Sequence, residues 1–427
     1  MSTDLLPRQL RRAVSPYTGI VRSLEECLQS STDPPLHQFA AEVGALGRGA
    51  RSGAAAPTRR DAAAAAVGEA LERYSASTVP VDRLVVGSAR ELGAEAVEPG
   101  RFALFSRRQH ARRGFPFRPF TRETPVAWVE GYSLPERRRA LLPAELVFLG
   151  GVAPRGSVSI GYATSSGTAC ATRAEDALVR GLCELLERDA FMIVWANRLS
   201  LPVLDWSADE AISALDRTLF APVGLPYRAI DLSVFHRLPS VLGVVRAPAG
   251  YPGALGVGAG TAPTVERAWW KALSEAFAAR AASVKLALVA GGRRPVPDEI
   301  ASFDDHIRYY VDRHGAARFL DGAVEPSLVG DLPSLEGATA GAQLAALCAR
   351  VAAAGSTAYA VDVTAPDVRA LGLAVLKVLA PELCPLDVLH RARFLGGRRL
   401  YEAAWQLGLR ARPLREHDVN TEPHPFP

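Results

Sequence analysis

Gly68-Glu-Ala-Leu-Glu-Arg73 and Cys183-Glu-Leu-Leu-Glu-Arg188 are one pattern written twice, E-x-x-E-R, each time inside a run of apolar residues. A spacing of three sets Glu69 beside Glu72, and Glu184 beside Glu187, on one side of a helix. The first helix is predicted from about Asp61, read as its N-cap, through Tyr74, and the second from about Arg173 through Trp195. In the second, Leu178, Val179, Leu182, Leu185, Leu186, Ile193 and Val194 cover most of the circumference, and Arg180, Glu184, Glu187 and Arg188 share the remaining flank. Carboxylates on a helix with so little solvent-facing surface need a counter-charge, because burying them unpaired is costly. Several hard oxygen ligands suit Mg2+ better than zinc, and Mg2+ favours shared ligation with phosphate, which arginine binds bidentately. A single copy reads equally as a helix flank with weak salt bridges. Two copies in strongly apolar helices point to a metal–phosphate site.

A third helix is predicted over about Val265–Val284, carrying Lys271, Glu275 and Arg280. Lys271 and Glu275 are one turn apart, which by itself describes a surface i,i+4 pair. Gly256-Val-Gly-Ala-Gly260 stands just ahead of this helix, and glycines there can admit backbone amides to a phosphate, although the spacing is not that of a P-loop.

The whole chain bounds what surrounds these helices. Its 427 residues, 48% hydrophobic, supply ample core and exclude global disorder. A net charge of +4 is too small for a chain that coats nucleic acid by bulk electrostatics. The basic, aromatic run Arg107–Phe120 keeps a nucleic-acid-binding reading open, against that of a solvated loop anchored by its rings. Cys27, Cys170, Cys183, Cys348 and Cys384 are odd in number and scattered, which excludes a zinc ribbon or a disulfide framework and leaves buried small hydrophobes. No signal peptide and no run of eighteen apolar residues is visible, since Lys377 and Glu69 break the best candidates; a cytoplasmic protein without membrane contact is expected.

Elsewhere the pattern predicts a short helix over Ile20–Gln29, a loop over 47–60 and short strands across 83–150, among them Val126–Val129. Further strands are predicted at Tyr227–Leu232, Ser240–Val245, Ala254–Gly258, Ala358–Thr364 and Leu373–Leu379, and a last helix near Arg398–Leu407. The class is α+β, with mixed sheets, or mixed α/β, divided into a short N-terminal segment, 1–36, and one large domain, 37–427, that ends in the proline-rich Pro423-His-Pro-Phe-Pro427. Such a tail alone reads as a disordered polyproline-II end.

Val67-Gly-Glu-Ala-Leu-Glu-Arg-Tyr-Ser75, the run from Thr164 through Ala190 and Lys271-Ala-Leu-Ser-Glu-Ala-Phe277 together resemble the signatures of the YcaO family, over about residue 10 to the end. The resemblance implies a YcaO-type ATP-binding fold with three site-lining helices, with ATP and Mg2+ as cofactors. It implies Glu69, Glu72, Glu184, Glu187 and Glu275 as Mg2+-binding carboxylates, and Arg73, Arg188, Lys271, Ser166 and Arg280 as nucleotide-site residues. The PxPxP ending and Val14-Ser-Pro-Tyr-Thr-Gly resemble azoline-forming cyclodehydratases, the D proteins of thiazole/oxazole-modified peptide pathways. Departures from the family pattern are Ser166 for Asn, Ala171 for Gly, Lys271 for Arg, Ala278 for Gln, and no lysine near Gly53.

The implied reaction is attack by a Cys, Ser or Thr side chain of a ribosomal precursor peptide on the preceding carbonyl. Phosphorylation of the amide oxygen then closes the ring to a thiazoline or oxazoline, and the protein's task is positioning and charge stabilisation. No base is identified; His424 and the Pro427 carboxylate are candidates through the tail. Expected partners are the precursor peptide, a separate ThiF-like or leader-binding protein, a flavin dehydrogenase in the same pathway and a second copy in a homodimer. Thioamide formation and a non-catalytic peptide- or partner-binding scaffold are the alternatives.

Overall fold

A computed structural model describes residues 3–44, 51–152, 154–289, 291 and 293–427, which fall into two compact units. The first comprises Met1–Gln29, Pro35–Leu185 and Thr339–Glu382; the second, Ser30–Pro34, Leu186–Ala338 and Leu383–Pro427. Helices and sheets make up both, in agreement with the α+β class; the strand pairs of the first unit are antiparallel, and the sheet of the second is mixed.

The first unit opens with an antiparallel sheet of β1 (Val21–Glu26), β2 (His37–Val43) and β3 (Arg51–Ala56). The helix expected over Ile20–Gln29 is thus a strand. Its register slips between Val21 and Ser23, so Val21 and Leu24 are both buried, and an i,i+3 spacing that imitates a helix arises in extended chain. The loop expected over 47–60 gives way to β3 from residue 51, where pairing with β2 overrides the weak strand preference of Ser, Gly and Ala; residues 47–50 lie outside the described residues.

Helix α1 (Arg59–Ser77) begins two residues before the expected cap, because the Thr58 hydroxyl accepts the Asp61 amide at 3.1 Å. Its buried face is largely alanine, with Val67 and Leu71, and lies on β2 and β3. Then come β4 (Val85–Gly87), β5 (Val126–Ser133), β6 (Arg138–Pro143) and β7 (Thr168–Ala171). In the basic run between β4 and β5, the rings are occupied with one another, Phe105 stacking on Phe117 at 4.9 Å, while Arg107, Arg108, Arg112 and Arg113 are exposed. Helix α2 (Ala174–Asn197) contributes to both units, which divide after Leu185.

The second unit continues with β8 (Pro202–Asp205), α3 (Glu210–Leu219), β9 (Tyr227–Asp231), β10 (Ser240–Arg246), β11 (Leu255–Thr261), α4 (Val265–Val289) and β12 (Ala323–Leu328). The sheet order is β11-β10-β9-β8-β12, antiparallel except for the parallel β8–β12 pair. Gly256, Gly258 and Gly260 lie within β11, not in a phosphate loop. A Cβ on Gly258 would overlap the Glu275 Cβ and the Ala276 amide, and one on Gly260 the Ala268 carbonyl. These glycines form the floor on which α4 rests.

The chain returns to the first unit for α5 (Ala340–Ala353), β13 (Tyr359–Asp362) and β14 (Ala374–Leu379), completing a sheet of order β4-β5-β13-β14-β7 with β6 beside β5. Helix α6 (Arg398–Gln406) and the C-terminal tail belong to the second unit. Pro423 through Phe426 are buried, so the tail is not a disordered end. All five cysteines are free; Cys183 and Cys384 are buried as expected, whereas Cys27, Cys170 and Cys348 are partly exposed. Among the described residues no helix is long and apolar enough to cross a membrane.

Candidate functional site

In the first unit the carboxylates of α1 and α2 come together. Glu72 accepts the Cys170 amide at 3.2 Å, and Glu184 accepts the Gly167 amide at 2.9 Å. Arg73 donates to Glu69 at 2.7 Å, an i,i+4 pair with both side chains partly exposed. Burial pushes the Glu72 carboxyl well above the usual carboxylate range, and the neighbouring charges of Glu184 and Glu69 push it further. Burial and then the charge on Glu72 raise the Cys170 thiol to about 12, which keeps it protonated and unreactive at neutral pH. Three acids that repel one another, offering oxygen donors, are suited to a hard cation.

Residues 164–167 set this arrangement. Gly167 has φ +78°, and its carbonyl accepts the Val378 amide at 2.7 Å. The Ser166 amide donates to Thr164 Oγ1 at 3.4 Å, and the Thr164 hydroxyl to Ser166 Oγ at 2.9 Å. Beneath the loop, a Cβ on Gly181 of α2 would come within 2.7 Å of the Gly167 carbonyl oxygen, so helix and loop touch through glycine.

In the second unit Glu187 is 1% exposed and accepts the Thr261 amide at 2.7 Å. Lys271 Nζ lies 3.1 and 2.9 Å from the two Glu187 oxygens and 3.7 Å from Glu275 Oε1. The expected phosphate contact of Lys271 is here an ion pair with two carboxylates. Arg280 lies elsewhere on α4, five residues and so about 140° around from Glu275. Its guanidinium donates to the Thr32 and Pro252 carbonyls at 3.4 and 3.2 Å. Arg188 sits over the Phe426 ring, 4.9 Å from its centre, and so faces the tail.

The tail is fastened along its length. Trp195 Nε1 donates to the Glu422 carbonyl at 3.1 Å, and the Tyr310 hydroxyl to the Pro423 carbonyl at 2.5 Å. Phe426 packs on Phe191 with ring centres 4.8 Å apart. His424 Nδ1 accepts the Phe426 amide at 3.3 Å, which fixes the proton on Nε2, and Nε2 donates to the Asp387 carbonyl at 2.6 Å. Burial, with His306 stacked 3.9 Å away, holds the His424 pKa well below the ordinary value. His424, expected as a candidate base, therefore has both ring nitrogens engaged with backbone. Pro427 is partly exposed at the end.

Two groups escaped the sequence reading. Asp189, wholly buried, takes Arg399 Nε on both oxygens at 2.9 and 2.8 Å and the Cys384 amide at 2.8 Å, with His236 Nε2 2.9 Å away. Its carboxyl is held at about 2, because Arg399 and His236 outweigh the opposing effect of burial. Lys377, 3% exposed in β14, was legible as a lone charge in an apolar strand, which needs partners.

The family model described as YcaO cyclodehydratase, ATP- and Mg2+-binding, matches residues 53–384. Among solved structures, a heterocyclase in complex with substrate and cofactor is 22% identical with TM-score 0.82, over 98% of this chain and 56% of that one. The heterocyclase TruD is 24% identical with TM-score 0.69, over 85% of this chain and 50% of its own. YcaO from Methanopyrus kandleri, bound with AMPPCP and Mg2+, is 20% identical with TM-score 0.61, over 87% of this chain and 89% of its own. The chain thus spans about half the length of the two heterocyclases. On the fold and on the match over most of its length, this chain belongs to the YcaO family of ATP- and Mg2+-binding proteins.

Proposed function

We propose that this protein catalyses ATP-dependent cyclodehydration of Cys, Ser or Thr residues in a ribosomal precursor peptide, by phosphorylation of the backbone amide oxygen. The observation that carries the reading is the set of carboxylates on three helices, Glu69, Glu72 and Glu184 in one unit and Glu187 and Glu275 in the other. Burial raises the Glu72 carboxyl and the charges of Glu184 and Glu69 raise it further; a cation relieves that repulsion, and oxygen-only donors are the chemistry Mg2+ takes.

In this reading the glutamates of each unit are Mg2+ ligands, and Ser166 and Arg73 in the first unit and Lys271 in the second are nucleotide-site residues. Arg280 and Arg188 are set aside, since their guanidinium groups are engaged with backbone carbonyls and with Phe426. Bound MgATP supplies the phosphoryl group that lets the attacked carbonyl oxygen leave as phosphate, with net loss of water. The protein orients the peptide and fixes the charges that receive the developing phosphate. His424 holds the tail in place. A leader-binding partner protein delivers the peptide.

Combining the protein with such a partner, the precursor and MgATP should remove one water per ring, read by mass spectrometry, with precursor-dependent ADP release. An unchanged precursor mass in that mixture rejects the reading; a gain of sulfur would indicate thioamide formation instead.

A further inference from the structure

We propose that Lys377 is a positioning residue of the reaction: it clamps the loop 164–167 so that the Gly167 amide orients the Glu184 carboxylate. The proposal rests on the reading of Glu184 as a metal-site carboxylate. Lys377 Nζ donates to the Thr164 and Ser166 carbonyls, each at 2.6 Å. The next strand residue, Val378, takes the Gly167 carbonyl through its amide at 2.7 Å. Consecutive residues of β14 thus hold three of the four loop carbonyls, those of 164, 166 and 167. Gly167 can then turn its amide only toward Glu184 Oε2, 2.9 Å away.

A buried ammonium is an expensive way to hold a loop if packing is the whole purpose. Charge-assisted bonds to two carbonyls are stronger and more directional than neutral ones. With one Glu184 oxygen held by the Gly167 amide, rotation of the carboxylate is restricted, which narrows the directions from which it meets a cation. Small misplacement of such a ligand is felt strongly in phosphoryl transfer.

The test compares Lys377→Met with Val351→Ala, a control that empties part of the first unit's core at a residue 0% exposed in α5. Lys377→Met should raise KM for MgATP, and the Mg2+ concentration for half-maximal rate, by at least about tenfold, with a smaller change in kcat. Amide exchange at 166–168 should accelerate. Val351→Ala should lower the melting temperature without moving either midpoint. Should Lys377→Met fail to fold, Lys377→Arg, which keeps the charge, is read by the same assays and should shift them less in the same direction. If the lysine variant loses thermal stability as the control does, with KM, Mg2+ midpoint and Gly167 exchange unchanged, the proposal is overturned. Failure of the metal reading itself looks different: Gly167 exchange still accelerates, but the wild type shows no Mg2+-dependent binding of a non-hydrolysable ATP analogue. That result also overturns the role in the reaction.

Discussion

Glu72 and Asp189 show how differently two deep carboxylates can be set. Glu72 is buried, with like charge beside it, so its protonated form is the favoured one in the metal-free fold. A carboxyl raised in the folded state takes up a proton on folding, and its contribution to stability falls as pH rises above the unfolded value. Glu72→Gln should therefore raise the metal-free melting temperature at pH 8, by about 2–4 °C for each kcal/mol recovered. It should also remove the further stabilisation given by Mg2+ with an ATP analogue. A metal-free melting temperature that does not rise would contradict the assigned cause of the shift. Asp189 has the opposite sign. Its carboxyl is lowered to about 2, so its stabilisation is present above the unfolded value near 3.8 and is lost as pH falls toward 2. Asp189→Asn strands Arg399 in the core and should cost about 3–5 kcal/mol at neutral pH, read from urea melts. Glu72 takes Glu69 from its own helix but Glu184 and the Cys170 amide from far along the chain, and the Asp189 partners come from positions 236, 384 and 399.

At the scale of elements, the three long helices were legible because each has a sustained apolar period, and their observed ends lie within a few residues of those expected. The first strand was not, because its bulge copies a helical spacing. The glycine run before α4 was misread for a related reason. Glycine permits close approach of anything, and what approaches β11 is a helix instead of a phosphate. Gly258→Ala should force α4 away from the sheet and cost at least about 1–3 kcal/mol, seen as a lower urea midpoint with an unchanged slope. Full stability of that variant would mean the helix has room that the packing does not allow.

For the molecule as a whole, the last residues matter out of proportion to their number. Phe426 belongs to the buried core of the second unit, and Phe426→Ala should cost about 3–5 kcal/mol in thermal or urea melts. Removal of the last three residues should abolish cyclisation. That loss is to be judged against Phe426→Ala, which separates a destabilised unit from a missing end. The tail also brings His424 beside His306, with His390 and Asp387 in the same unit. Burial lowers all three histidines, His390 to about 4, and raises Asp387 to about 7. Asp305, Arg188 and Arg393 are the other charges acting on them. Below the unfolded histidine value near 6.5 each histidine gains a proton on unfolding, while Asp387 loses one. Uptake by the histidines exceeds the release from Asp387, so stability falls as pH falls from about 6 toward the His390 value of about 4. Denaturation midpoints that stay flat across that window would contradict buried neutral histidines.

The sequence by itself determined the helices, their five glutamates and the family, because periodic apolar residues and acid spacing along a helix are local properties. Tertiary structure alone decided which charges are compensated. It joined Lys271 to Glu187, Arg399 to Asp189 and Lys377 to the loop carbonyls, turned the glycine run into a helix floor, and drew a proline-rich end into a core. The physical reason is that desolvation and hydrogen-bond partners depend on residues far apart in the chain, so no window of sequence contains both halves of such a pair.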